Sequence, residues 1–143
     1  MKKLILFMAL ITFAATSCQN EGKPTPLAID NALTEAEIEA GILSPEVMWK
    51  MGRVGSSSLS PDGTQVAYTV TYYNMAENRG VTSIYVQPTE GGEPRQLTDN
   101  AGNDVSPQWA ADSRSIFFLS NRSGSMQIWN VTTADAMLRQ VSN

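Results

Sequence analysis

The sequence predicts an all-β fold, a partial β-propeller of about two four-stranded blades, preceded by a signal peptide and short N-terminal helices. Three observations carry this prediction: the apolar pattern beyond Arg53 has a period of two residues, turn chemistry separates the strand-like runs, and part of the chain repeats itself. In the repeat, Ser60-Pro61-Asp62-Gly63-Thr64-Gln65-Val66-Ala67-Tyr68 lines up with Ala110-Ala111-Asp112-Ser113-Arg114-Ser115-Ile116-Phe117-Phe118 at an offset of 50, so Asp62 falls on Asp112. Later in each unit, Ile84-Tyr85-Val86 aligns with Ile128-Trp129-Asn130 and Gln96-Leu97-Thr98 with Gln140-Val141-Ser142, both at an offset of 44. The first copy therefore carries 6 extra residues (50 minus 44), within Tyr72 to Gly80. Four short strands in a unit of roughly 40 to 50 residues are the signature of a propeller blade.

Composition bounds the rest. The chain has 143 residues, 42% hydrophobic and 17% charged, enough for at most one ordinary domain. With 10 Lys+Arg against 14 Asp+Glu, a net charge of -4 and a pI near 4.7, it offers no basic surface for a nucleic acid. It contains no His, which excludes a Ser-His-Asp triad and any His-ligated metal within this chain. No cofactor or metal site is expected. The single Cys excludes an internal disulfide.

The N-terminus has export chemistry. Lys2 and Lys3 form a positive region ahead of an apolar run from Leu4 to Ala15, too short for a membrane-spanning helix, which needs about 20 residues. Ala15-Thr16-Ser17-Cys18 resembles a bacterial lipobox, with a signal peptide over 1–17 and Cys18 as the site of lipid attachment and new N-terminus. Ala15 stands where lipoboxes favour Leu, so ordinary cleavage leaving a free Cys18 thiol stays open. Several acyl chains, at about 0.8 kcal/mol per buried CH2, would anchor the chain to a membrane. Loss of Lys2 and Lys3 takes the charge to -6 (8 minus 14), which argues against electrostatic binding to anionic lipid. Gln19 after the Cys implies an outer-membrane lipoprotein, on the periplasmic or the cell-surface side. Residues 18–33, with Pro24 and Pro26 among small and polar residues, read as a tether.

Residues 34–52 are expected to form two short helices. Thr34 and Glu37 have the spacing of a capping box, which starts a helix over about Glu35 to Ala40. Glu35 and Glu39 share its face, with nothing placed to converge on them. Ser44 as N-cap, Pro45 at the first position and Glu46 near the dipole start a second helix, with Gly52 expected to close it after Met51. Trp49 lies away from the Val47, Met48 and Met51 stripe and is expected to cover a neighbouring element.

Residues 53–143 are the propeller part, with blade 1 about 54–98 and blade 2 about 105–143. Thr64 to Tyr73 alternates, with Val66, Tyr68, Val70 and Tyr72 on one face and Ala67, Thr69 and Thr71 on the other, the pattern of a half-buried strand. Further strands are predicted over Val81 to Val86, Arg95 to Thr98, Val105 to Trp109, Ser115 to Ser120, Gln127 to Thr132 and Leu138 to Ser142. Ser60-Pro61-Asp62-Gly63 has the chemistry of a type I turn, and Glu90-Gly91-Gly92-Glu93 that of a hairpin turn. Tyr68, Tyr85, Trp109, Phe117, Phe118 and Trp129 are expected to fill the space between blades. The oxygen-rich Asp99 to Asp104 stretch lacks the spacing of a calcium loop and reads as an inter-blade loop. Asn121-Arg122-Ser123 and Asn130-Val131-Thr132 match the glycosylation sequon, without meaning beside a bacterial signal. A propeller typically has 4 to 8 blades. Two leave strand edges and apolar faces open, so the sequence is expected to be the N-terminal piece of a longer protein or to assemble with other chains.

The repeat, with Gly91-Gly92-Glu93-Pro94-Arg95-Gln96-Leu97-Thr98, resembles that of TolB-type proteins and of the prolyl oligopeptidase family. Ser44-Pro45-Glu46-Val47-Met48-Trp49-Lys50-Met51-Gly52-Arg53-Val54-Gly55 ahead of the first blade, and Tyr72 to Gly80 within it, resemble the start of the propeller in acylaminoacyl-peptidase-like and dipeptidyl-peptidase-like members. The likeness runs from about Leu43 to the end. It implies a propeller that restricts access to a C-terminal α/β-hydrolase domain, so that peptides reach a triad there; that domain is not in this sequence. Gly55-Ser56-Ser57-Ser58-Leu59 has Leu where a nucleophile elbow needs its closing Gly, and it precedes a strand, so Ser57 reads as a loop or strand serine. The paired glutamates by which some members hold a substrate's amino terminus are absent, and no catalytic or substrate-binding residue carries over. The implied partners are a peptide substrate, through the missing domain, and a membrane, through the lipid. The alternative is a non-enzymatic TolB-like propeller that binds a protein partner in the periplasm or at the cell surface; a truncated relic is a third.

Overall fold

A computed structural model describes residues 29–99 and 102–143. The signal peptide, Cys18 and most of the tether lie outside the described residues. Helices α1 (Glu35–Ala40) and α2 (Pro45–Lys50) are followed by eight strands: β1 (Arg53–Leu59), β2 (Gln65–Asn74), β3 (Arg79–Pro88), β4 (Arg95–Gln96), β5 (Asp104–Trp109), β6 (Ser115–Ser120), β7 (Gln127–Thr132) and β8 (Leu138–Gln140). They form two antiparallel four-stranded sheets, each ordered as in the chain, β1-β2-β3-β4 and β5-β6-β7-β8. Sequential meanders of this kind are propeller blades, and the two form a partial β-propeller.

The sequence repeat is a repeat of hydrogen bonds. In blade 1 the Ser60 N–H donates to the Gln65 carbonyl (2.8 Å), and in blade 2 the Ala110 N–H donates to that of Ser115 (2.8 Å). Asp62 Oδ1 accepts from the Thr64 N–H (3.0 Å) as Asp112 Oδ1 does from the Arg114 N–H (2.9 Å). At the other end, the Ile84 N–H donates to the Thr98 hydroxyl and the Ile128 N–H to that of Ser142. A side-chain oxygen thus replaces the backbone partner that the short fourth strand lacks. The 6 extra residues of the first copy lengthen its central hairpin: β2 and β3 have 10 residues each, against 6 each in β6 and β7.

One core joins the blades. Ala67, Ile84, Val86 and Leu97 of blade 1 cluster with Ile116, Phe118 and Val131 of blade 2, and Trp109, Trp129, Ala136 and Leu138 pack at its border. Polar contacts cross the same seam. Trp109 Nε1 donates to the Ser58 carbonyl (2.9 Å), the Asp62 N–H donates to Ser113 Oγ (3.1 Å), and Arg95 donates to the Thr133 carbonyl.

Two expectations, those for Gly52 and Phe117, need correction, and β1 and the burial of β2 add to what the sequence showed. Gly52 does not close α2: the helix ends at Met51, which has extended backbone and donates to the Met48 carbonyl. Gly52 serves close approach instead, since a Cβ there would lie 2.7 Å from Tyr72 and Val70 side-chain carbons. β1 is a full strand although Val54-Gly55-Ser56-Ser57-Ser58 shows no apolar alternation. It is held by pairing with β2, its side chains are mostly exposed, and it supplies no periodic signal. On β2 both faces hold buried residues: Ala67 and Thr69 on the side toward blade 2, and Val70 on the other, where Val66, Tyr68 and Tyr72 are half-buried. Finally, Phe117 is exposed, because it alternates with Ile116 and Phe118 and points away from the seam.

Candidate functional site

Ser57 lies within β1, opposite Tyr68 of β2 where pairing resumes after a register shift, and not on the strand-to-helix turn that exposes a nucleophile. Lipid-site residue Cys18 lies outside the described residues. Among the described residues no cluster of three or more His, Cys, Asp or Glu could hold a metal.

In the Asp99 to Asp104 loop, the carboxylates turn inward to Arg122. Its guanidinium meets Asp104 Oδ2 at 2.6 Å and Asp99 Oδ1 at 3.1 Å, with Asp104 fully buried and Arg122 nearly so. Arg122 also lies 5.3 Å from the Trp129 ring centre and 5.8 Å from that of Phe118. Burial pushes the Asp104 carboxyl above its usual range, opposed by the Ser120 and Thr98 hydroxyls and by Arg122. The Asn103 side-chain oxygen accepts from the Thr82 N–H (3.1 Å), and the Asn103 N–H donates to the Asn121 side chain (2.8 Å). Together these contacts hold both ends of the inter-blade segment to blade 2, through Arg122 and Asn121, and tie it through Asn103 to β3. Chemically this is a scaffold device: its one cation is engaged by two carboxylates.

The second cluster lies where the long hairpin meets the helices. Trp49 covers Tyr73, edge to face at 5.4 Å, and the Arg53 guanidinium carbon sits 4.5 Å from the Trp49 ring centre and 4.6 Å from that of Tyr73. Beside them a cleft of about 600 Å³ opens between α2 and the hairpin tip, with Asp30, Glu46, Trp49, Tyr73 and Met75 in its wall. α2 is tied to α1 by Lys50, whose Nζ meets Glu37 Oε2 at 2.8 Å and the Ala32 carbonyl at 3.1 Å. Lys50, with the Thr34 N–H and hydroxyl, lowers the Glu37 carboxyl to about 2. The cluster was partly legible: Trp49 stands off its helix stripe and the extra residues start at Tyr72. Arg53 gave no signal, because its stacking depends on a register fixed only in the sheet.

The cleft has aromatic and carboxylate walls but no nucleophile beside a base. It can position or dock a ligand.

Comparison with known proteins gives a consistent answer. The family model described as TolB beta propeller domain matches residues 37–143. Dipeptidyl-peptidase 5 of Porphyromonas endodontalis is 31% identical over 113 residues, which are 79% of this chain and 16% of that protein. The structure of a putative TolB from Agrobacterium tumefaciens is 27% identical, with a TM-score of 0.50, over 65% of this chain and 31% of that one. An acylaminoacyl peptidase in complex with Z-Gly-Gly-Phe-chloromethyl ketone superimposes with a TM-score of 0.56 at 19% identity, over 66% of this chain and 14% of that one, a likeness of fold.

Proposed function

The chain belongs to the TolB β-propeller domain family, and from that premise we propose that it is the N-terminal propeller part of an exported serine peptidase that hydrolyses peptides, its propeller restricting access to a hydrolase domain. One observation carries this reading. A match of 113 residues in a chain of 143 necessarily includes residues 31–113, so the likeness to dipeptidyl-peptidase 5 takes in both helices and the long hairpin as well as the first copy of the repeat. Those are the parts that a bare propeller repeat does not require. The chain spans 16% of that relative's length, so the chemistry is assigned to the whole protein and not to the residues described above. Export is supported by the signal-like N-terminus and by the likeness to TolB; attachment to the outer membrane through Cys18 is part of the proposal.

The test is to probe a membrane fraction with a fluorophosphonate, which labels activated serines, and with an antibody to the Thr71 to Arg79 hairpin. One band several-fold larger than 15.5 kDa, carrying both signals, is expected. An antibody band without serine labelling would overturn the peptidase. Mass spectrometry of the N-terminal peptide checks the anchor separately: Cys18 is expected to carry acyl chains, and an unmodified thiol would remove the lipoprotein part alone.

The second reading, a non-enzymatic propeller that binds a protein partner in the periplasm or at the cell surface, is favoured by the 27% identity to the TolB structure. Further blades with no hydrolase sequence after them would support it.

A further inference from the structure

The described chain starts at Ile29, one residue before it enters the wall of the cleft between α2 and the hairpin tip. Asp30 lines that cleft together with Glu46, Trp49, Tyr73 and Met75. The residues that follow are strapped to α2: Lys50 Nζ donates to the Ala32 carbonyl at 3.1 Å, and the Ala32 N–H donates to the Asp30 carboxylate at 3.4 Å. The stretch Lys23-Pro24-Thr25-Pro26-Leu27, outside the described residues, is therefore joined to the cleft wall through Ala28 and Ile29 alone. At about 3.6 Å per residue or less, Lys23 lies within about 25 Å of Asp30. The cleft, at about 600 Å³, has the size of a ligand site, which runs from about 300 to 1,000 Å³. Its walls have two chemistries. Trp49 and Tyr73 remain half-buried with Arg53 stacked on them, and Met75 is 55% exposed. Asp30 and Glu46 bring carboxylates, that of Glu46 held below its ordinary range by its own N–H and the Ser44 hydroxyl. The lysine of the wall, Lys50, is already engaged by Glu37.

We propose that residues 23–27 of the same chain occupy this cleft, with Pro24 and Pro26 against the Trp49 and Tyr73 rings and Lys23 toward Asp30 and Glu46. Continuity, charge and composition select this occupant. Because the segment is attached to the cleft wall, its effective concentration there is of millimolar order, so weak contacts suffice. Lys23 is the one cation between Cys18 and Lys50, against six acidic residues, Glu21, Asp30, Glu35, Glu37, Glu39 and Glu46, so it is the charge that the free carboxylates of the wall attract. Proline-rich stretches suit aromatic-walled grooves, since their φ is fixed in advance and little chain entropy is lost on docking. Docking changes what the tether does. Undocked, Gln19 to Ile29 spans at most about 40 Å; docked, Gln19 to Gly22 remains, at most about 14 Å. The propeller is then held close to whatever Cys18 is joined to, with its helices turned toward it. That consequence rests on the lipid attachment proposed above, and the docking itself does not.

The experiment places photoreactive p-benzoylphenylalanine at position 75, the exposed hairpin tip, in the full-length protein expressed from its natural gene in its own cell. After brief irradiation, cross-linked peptides are sequenced. The expected product is a link within one chain to residues 23–27. A second protein adds Lys23→Glu, Pro24→Ser and Pro26→Ser, which keep the chain length, and hence the proximity, while removing the recognition. Its yield of that link should fall at least about threefold, the scale of one exposed ion pair. Equal yields in the two proteins, as proximity alone would give, a link elsewhere in the chain, a covalent dimer, capture of another protein, or no link would each overturn the docking. Serine labelling and mass spectrometry of Cys18 test the peptidase and the anchor, and neither readout moves with this one.

Discussion

Blade 1 and blade 2 share a polar skeleton and differ in what is hung on it. Both use an aspartate to organise the turn before the second strand, and both cap the third strand with a hydroxyl from the end of the fourth. Blade 1 then spends its extra residues on a long hairpin braced by Trp49 and Arg53, while blade 2 buries an ion cluster. The substitution is visible at single positions: Val54, exposed in blade 1, corresponds through the offset of 50 to Asp104, fully buried in blade 2. The repeat therefore fixes the hydrogen-bonded turns, whereas the residues that tie each blade to its surroundings are free to diverge.

The largest expected effect breaks blade 2 where blade 1 has no counterpart. Arg122→Ala leaves Asp104 buried without its cation and Asp99 without its partner, a loss of about 3–5 kcal/mol by comparison with other broken buried pairs. Urea denaturation of the chain should show it. Arg122→Lys should recover only part of the loss, because a point charge cannot reach two carboxylates as a planar fork does. Equal stability of Arg122→Ala and the parent would mean that the cluster holds nothing together.

A matched pair of glycines comes next. Gly52 and Gly102 occupy the same place ahead of their blades at the offset of 50. A Cβ on Gly102 would meet backbone, Arg122 N at 2.9 Å and Arg122 Cα at 3.1 Å, as well as Asn121 Oδ1 at 2.8 Å. At Gly52 it would meet the tip of the Tyr72 ring and one Val70 methyl, both at 2.7 Å. Side chains swing and backbone does not, so Gly102→Ala should cost about 2–3 kcal/mol and Gly52→Ala about 1–2. The reverse order would show that the Tyr72 ring is locked.

How much of this was legible in the sequence follows from how far each signal reaches. The turn at Ser60 to Gly63, the capping box at Thr34 and the strand of Ser115 to Ser120 are local and could be read directly. β1 could not, because its serines are ordered by pairing with β2. The alternation on β2 did not say which face meets the neighbouring blade; it is the small side of Ala67 and Thr69, and only the packing of the two blades shows this. Of the candidate site, Trp49 and the added hairpin residues were visible, and the stacking of Arg53 was not. Nor was the Arg122 cluster, since Asp99 and Asp104 look like a solvated loop until the fold turns them inward.

Acid should separate the regions. Glu37 is lowered from 4.5 to about 2, so its contribution to the helix pair is complete above pH 4.5 and is lost as pH falls toward 2. Asp62 is also lowered, by the Ser60 hydroxyl and the Thr64 N–H, so the blade 1 turn weakens below its ordinary 3.8. Asp104 runs the other way: raised by burial, its share of stability is complete below 3.8 and is lost as pH climbs through its folded value. Carbon-detected NMR titration of the carboxyls should place Glu37 and Asp62 below, and Asp104 above, their ordinary values. A depressed Asp104 would mean that Arg122 outweighs burial.

The smallest effect tests the turn skeleton itself. Gly63 and Ser113 occupy equivalent positions with φ of 73° and 57°, a left-handed conformation that costs a serine roughly 1–2 kcal/mol. Gly63→Ser should therefore destabilise by about 1 kcal/mol. Ser113→Gly is not its mirror image, because the Ser113 hydroxyl accepts the Asp62 N–H across the blade seam. Relief of the left-handed strain is offset by loss of that bond, worth about 0.5–1.5 kcal/mol, and by the greater chain entropy of glycine, so a change within about 0.5 kcal/mol is expected in thermal denaturation. If Ser113→Gly instead stabilises by the full cost of the strain, the hydroxyl contributes nothing at the seam. The serine would then be a tolerated departure from the repeat, and the seam would rest on the apolar cluster and on its other polar ties, those of Trp109, Arg95 and Asn103.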